Sequence, residues 1–230
     1  MNTDHLVANA EHDRDLETRL ATQGVLTSTR VACNDLQTVS AMTMDAQVDQ
    51  LVVQFEQQLQ QDSDIIEVNL TPLNETAKAS DKVVYSCLKA ARVIANSSIS
   101  EDAEQPPLLV SLELEAAALN IPQHKLHHLL LTAKAQGADF VTVSHLDDVS
   151  VAKRLVLAGD MVDVPVVLSL HQQALQAQGH CAIALSQQLY KAGAAAVGVN
   201  GYIGPQNTDS IDLLNSHSWL ADKRGSVYIH

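Results

Sequence analysis

The residues best suited to chemistry stand at the ends of short apolar runs. Asn69 and Thr71 lie late in DIIEVNLTP (64–72), and Glu113 and Glu115 close LLVSLELE (108–115). Ser144 and His145 lie near the end of ADFVTVSHL (138–146), while Ser169 and His171 end or follow VPVVLSL (164–170). Asn200 and Gly201 stand in GAAAVGVNGYIGP (193–205), and His230 ends GSVYIH (225–230). Hydroxyls, amides and carboxylates so placed suit a small polar ligand. Imidazoles add proton exchange near neutral pH. The candidate ligand-binding set is therefore Asn69, Glu113, Ser144, His145, Ser169, Asn200 and Gly201. Three histidines (His145, His171, His230) with a nearby glutamate would suit zinc or iron. Histidines near strand ends are more often surface or hydrogen-bonded residues, so no metal is expected here.

A second histidine group, HKLHHLL (124–130), places His124 and His128 four residues apart on one helix face. That is ligand spacing, but the glutamate of an HExxH site is missing. Leu126, Leu129 and Leu130 explain the segment as a core-packing helix with a solvated face.

These candidates need elements to position them. The pattern alternates strands and helices. Expected strands are GVLTSTRVA (24–32), 64–72, 108–115, 138–146, 164–170, AAAVGVN (194–200) and 225–230. Expected helices are 45–61, 77–96, 123–136, 148–158, 180–192 and a short one near 208–216. In 45–61, Val48, Leu51, Val52, Phe55 and Leu59 recur at three- and four-residue spacing. In 77–96, Val84, Leu88, Ala91 and Ala95 do the same. Gly193 is expected to end a helix. Strands alternating with helices imply a parallel sheet covered by helices, either a barrel or an open doubly wound sheet. No GxGxxG or GxxxxGK[ST] follows a strand, which removes the common nucleotide-binding readings. Residues 1–22 read as a polar N-terminal arm and 23–230 as a single domain.

Composition narrows the partners. Lys and Arg number 14 against 27 Asp and Glu, a net charge of −13. Such a balance opposes binding to nucleic acid or anionic lipid. Aromatic residues are only 3%, so the core must be aliphatic. The three cysteines, Cys33, Cys87 and Cys181, form no CxxC pair and suggest no disulfide framework. The acidic N-terminus lacks a leader pattern, and no run is long enough for a membrane span. A cytoplasmic location is expected.

The chain resembles the homocysteine S-methyltransferase family. The resemblance is carried by AQGADFVTVSHLDDVSVAKRLV (135–156), VPVVLSL (164–170) and YKAGAAAVGVNGYIGP (190–205). It extends more loosely through QFEQQLQQDSDIIEVNL (54–70) and LKAARVIA (88–95), and covers roughly 45–230 in order. It implies a (β/α) TIM-type parallel barrel, here shortened or incomplete, with about seven of eight strands recognisable. It also implies methionine metabolism, with homocysteine held on zinc as a thiolate by three cysteines. One of these follows GVN, where this chain has Gly201; the other two belong to strand eight, beyond the seventh strand expected at 225–230. Cys87 and Cys181 fall in expected helices and Cys33 is alone. Ser144 stands where the family has a strand-four glutamate.

The resemblance therefore implies a divergent homocysteine S-methyltransferase-like protein. It would bind an amino-acid-like or methyl-bearing ligand at the strand ends without zinc or another cofactor. Methyl transfer to a thiol would then need another base, and His145 and His171 are the catalytic candidates. One alternative is a non-catalytic scaffold or partner subunit, a pseudoenzyme. Its open strand edges would be covered by a second copy in a homo-oligomer, a partner chain or the arm. Another is a pterin-binding-type barrel, because DIIEVNL is similar to a strand of dihydropteroate synthase and folate-binding methyltransferase modules; Asn69 would meet the pterin.

Overall fold

The computed structural model describes residues 16, 19, 28–32, 43–59, 63–70, 81–98, 107–115, 119, 121–146, 148–171 and 182–200. The expected strand at 225–230 and helix near 208–216 lie outside the described residues. So do Thr71, Gly201, His230, Cys33 and Cys181.

Six strands are described: β1 (Ser28–Ala32), β2 (Ile65–Asn69), β3 (Leu109–Glu115), β4 (Phe140–Leu146), β5 (Val166–His171) and β6 (Ala196–Asn200). Five helices alternate with them: α1 (Met44–Gln58), α2 (Asp81–Ser97), α3 (Gln123–Ala135), α4 (Val149–Val162) and α5 (Ala182–Lys191). Each strand pairs in parallel with the next, in the order β1-β2-β3-β4-β5-β6. A doubly wound sheet would reverse its strand order at a switch point. The unbroken order belongs to a (β/α) barrel. Among the described residues the sheet is not closed, and β1 and β6 are its edges.

Strand alternation divides the protein into an outer and an inner layer. Val31, Val68, Leu112, Val141, Leu168 and Val197 face the helices. They pack on Leu51 and Phe55 of α1, Leu88 and Ala91 of α2, Leu130 of α3, Leu155 of α4 and Leu189 of α5. The periodic residues expected in 45–61 and 77–96 all join this core, with Val48, Val52 and Leu59 only partly buried. A fully buried aliphatic side chain contributes roughly 1.5–3 kcal/mol, so this layer is the main source of stability. His124 and His128 are exposed on α3, the solvated face expected of that segment. Cys87 lies buried on α2.

Helix ends follow local chemistry. Thr43 caps α1 by accepting from the Ala46 amide, and Asp148 caps α4 through Ser150 and Val151. After α3, α4 and α5 the chain turns through a residue with positive φ: Gly137, Asp163 and Gly193. The next amide then reaches back, as Ala138 N to Ala133 O at 3.0 Å and Ala194 N to Leu189 O at 3.1 Å. Helix α4 runs four residues beyond its expected end at 158. Gly159 permits this by bringing the helix against β5: a Cβ there would stand 2.5 Å from Val166 Cγ2 and 2.7 Å from Val164 O.

Candidate ligand-binding site

The side chains of the sheet's inner face change character along the strands. At the amino ends Ile65, Leu109, Phe140, Val167 and Ala196 form a second apolar cluster. Leu16, from the N-terminal arm, joins it and is 3% exposed. Arg19 lies beside this floor, donating to Pro107 O at 2.6 Å and pairing with Asp64 at 3.2 Å. On the same side Arg92 of α2 pairs with Asp139 at 2.6 Å, and Asp139 accepts from Val110 N at 2.7 Å.

Toward the carboxyl ends the inner face becomes polar. The β1–β2–β3–β4 registers put Arg30 beside Glu67, Glu67 beside Ser111, Asn69 beside Glu113, and Glu113 beside Thr142. Glu67, Asn69, Ser111, Glu113, Thr142, Ser144 and Ser169 are all buried. Arg30 donates from Nη2 to Glu113 Oε1 at 2.7 Å, and its Nε stands 3.8 Å from Glu67 Oε2. The guanidinium is 43% exposed, whereas the carboxylates are 1% and 3% exposed. Glu113 Oε2 is buried without a hydrogen-bond partner. Two carboxyls thus face one guanidinium inside the sheet.

The electrostatics of Glu67 follow from that arrangement. Burial pushes its carboxyl up to about 7 from 4.5, and the neighbouring Glu113 charge adds to the rise. Arg30 and a hydrogen bond with Thr142 pull the other way and do not offset it. Glu67 is therefore poised between its acid and carboxylate forms near neutral pH.

A bulge shapes the upper rim. Pairing of β4 with β5 runs in register to Val143–Leu168 and resumes at Leu146–Leu170. Ser144 and His145 together oppose Ser169, so one extra residue sits in β4 at its carboxyl end. Bulges of this kind are common at barrel rims, where they re-aim side chains.

The structure brings Asn69, Glu113, Ser144 and Ser169 onto one inner face. His145, His171 and Asn200 lie at the ends of β4, β5 and β6, with side chains outside the described residues. Sequence reading missed Glu67, Arg30, Ser111 and Thr142. The signal for Glu67 was available: a charged residue alternates with Ile65 and Asn69 in a strand buried throughout. Among the described residues no three His, Cys, Asp or Glu are grouped to hold a metal ion. Cys87 is on α2, in the helix-facing core, so no described thiol fits a zinc site on the inner face. No helix among the described residues is long and apolar enough to cross a membrane.

Parallel strands in consecutive order with polar groups at their carboxyl ends define a TIM-barrel-like α/β protein. Solved structures agree. The homocysteine methyltransferase of Escherichia coli, in its apo form, matches with a TM-score of 0.60 and 14% identity, covering 94% of this chain and 93% of that one. A rubisco-like protein of Alicyclobacillus acidocaldarius matches at 0.55 and 19%, covering 93% of this chain and 50% of the other. A phosphonopyruvate hydrolase, solved with oxalate and Mg²⁺, matches at 0.51 and 15%, covering 94% and 70%. At these identities the relationship is a distant one, of fold. No family model and no curated protein matches the sequence.

Proposed function

We propose that the protein is a divergent homocysteine methyltransferase-like barrel that binds a small amino-acid-like or methyl-bearing ligand at the carboxyl ends of its strands, without zinc. The observation that carries this reading is the buried polar layer of the inner face, where Arg30 pairs with Glu113 and stands beside Glu67. A ligand ammonium would meet Glu113 Oε2 and Glu67, while Asn69, Ser144 and Ser169 offer neutral hydrogen-bonding groups. Asn200 and His145 would close the rim. Methyl transfer to a thiol would need a base in place of zinc, and His145 and His171 hold that place in the proposal. The fold likeness to the Escherichia coli enzyme supports the choice of ligand class.

The test is calorimetric titration of the protein with L-homocysteine and L-methionine, beside elemental analysis for zinc. Saturable binding to zinc-free protein, lost in Glu113→Gln, is the expected result. Stoichiometric zinc, or no binding of either amino acid, would overturn it.

The open sheet favours a second reading, a scaffold whose edges are covered by another copy or partner chain. One edge group is already satisfied internally: Gln58 accepts from Ala32 N at 2.9 Å and donates to Ala32 O at 3.1 Å. A single side chain thereby takes the hydrogen bonds a neighbouring strand would make. Light scattering separates the readings, because a stable monomer would rule out the homo-oligomer.

A further inference from the structure

We infer that the chain associates with a second copy of itself, head to tail, the acidic outer face of α1 in one copy docking on the apolar and basic outer face of α3 and α4 in the next. The inference is independent of the ligand reading and of the sheet edges.

The first observation is where apolar surface stays open. Among the described residues, the four most exposed large hydrophobic side chains are Met161 at 65%, Leu157 at 57%, Val53 at 54% and Leu131 at 49%. Leu157 and Met161 stand four residues apart, on one face of α4. Leu131 is on α3, which packs beside α4. The two helices run side by side. Arg154 donates to Ile121 O at 2.6 Å near their beginnings, and Lys134 meets Asp163 at 2.8 Å near their ends. That alignment puts Leu131 about level with Met161. Single exposed hydrophobic residues are ordinary on a surface, but three on adjoining helices mark a contact face. Val53 is on α1, opposite the side that buries Leu51 and Phe55.

The second observation is charge. Helix α1 carries Asp45, Asp49 and Glu56, all exposed, and no Lys or Arg. Helix α3 carries Lys125 and Lys134, both exposed, and no Asp or Glu. Helix α4 adds the exposed Lys153, against one carboxylate of its own, Asp160. Lys134 already pairs with Asp163, which makes Lys125 and Lys153 the cations for a partner to meet.

These two observations choose the occupant. The face of α3 and α4 calls for a helix that presents carboxylates around an exposed apolar side chain, and α1 of the same sequence is such a helix. Helix α2 packs between α1 and α3, so each face meets its complement only on another copy. The net charge of −13 makes copies repel, but salt screens that repulsion beyond about 8 Å at physiological strength. Docked faces bring their opposite charges closer than that. A contact between unlike faces is heterologous, and it grows into a ring or an open chain.

The test is sedimentation velocity of the full chain over a range of concentrations, at low and high salt, with circular dichroism to show that each variant folds. Association is expected, weaker at high salt. Leu157→Glu should raise the self-association Kd about tenfold or more. Asp49→Lys and Lys153→Glu should each weaken association alone. Mixing those two variants should restore it, because each supplies the intact face that the other lacks. A chain that stays monomeric would overturn the inference and leave the apolar strip to another segment of the chain or to a different protein. An oligomer unchanged by all three substitutions would also overturn it and put the contact elsewhere, as at the sheet edges. Charge variants that fail to complement each other would overturn the pairing of unlike faces. Should Leu157→Glu not fold, the mixing experiment decides alone.

Discussion

The floor and the upper layer of the inner face are built on the same strands, two residues apart, yet they differ in kind. The floor uses Ile65, Leu109, Phe140, Val167 and Ala196, sealed by Leu16. One step up the same strands come Glu67, Ser111, Thr142, Ser169 and Gly198. The floor excludes water and gains free energy from apolar burial. The upper layer buries carboxyls that burial disfavours. Barrels concentrate stability at the amino ends of their strands and chemistry at the carboxyl ends; the described inner face is apolar at the amino ends and polar toward the carboxyl ends.

The largest expected effect comes from the floor. Phe140→Ala should lower stability by about 3–5 kcal/mol, as large-to-small core substitutions do, read from the urea midpoint. The titration of the Glu67 carboxyl should stay in place. If it shifts as well, the two layers are one cooperative unit and the comparison breaks.

Glu67→Gln probes the other layer. The folded-state value is raised from 4.5 to about 7. Between those values the folded chain holds a proton that the unfolded chain has lost. This contribution to stability is therefore full below pH 4.5 and is lost as pH rises through about 7. At about 1.4 kcal/mol per pH unit, the upper limit of the effect is roughly 3 kcal/mol. Glu67→Gln should match the parent at pH 4 and exceed it in stability at pH 8, by denaturant unfolding at both. A variant less stable at pH 8 would show that the ionised carboxylate is held favourably, like an ordinary structural ion pair.

Much of the wall was legible from periodicity. Leu51, Phe55, Val84 and Leu88 lie where three- and four-residue spacing put them, because helix geometry is local. Strand order was not legible, since a barrel and a doubly wound sheet share the same alternation. Nor was the Arg30–Glu113 pair, whose partners are 83 residues apart and meet only through the parallel register. The strongest sequence resemblance also changes meaning. In QGAD, Gly137 takes a positive φ, Ala138 is buried and Asp139 joins Arg92 to the Val110 amide. Those residues serve the turn into β4, at the end of the sheet away from the polar layer. Asn69, Glu113, Ser144 and Ser169 stood out because strand ends can be read from sequence, whereas Glu67 lies mid-strand, where its alternation with Ile65 and Asn69 is the sequence signal of an inward position.

Gly159→Ala tests the wall apart from either inner layer. A methyl group would meet Val166 Cγ2 at 2.5 Å and the Val164 carbonyl at 2.7 Å, so α4 must move off β5. Overpacking of this kind costs about 1–3 kcal/mol. Thermal unfolding should show the loss. Because Val166 faces the helices while Val167 faces inward, the Glu67 titration is expected to hold.

The smallest effect is expected at Asp148, and it bears most directly on the rim. Its carboxylate accepts from Ser150 N and Ser150 Oγ, both at 2.7 Å, and from Val151 N at 3.4 Å. The Ser150 hydrogen bonds, side chain then backbone, hold the carboxyl below its ordinary value of 3.8. Because the folded value is lowered, this contribution is present above pH 3.8 and is lost as pH falls through the folded value. Asp148→Ala should cost about 1 kcal/mol at neutral pH, the usual worth of an N-cap, and the two proteins should converge in acid. The cap follows the β4 bulge closely, so it also asks what fixes the rim. If ligand affinity falls with the cap, helix α4 positions Ser144 and His145. If only stability falls, the sheet register holds the bulge, and the upper layer is set by the strands alone.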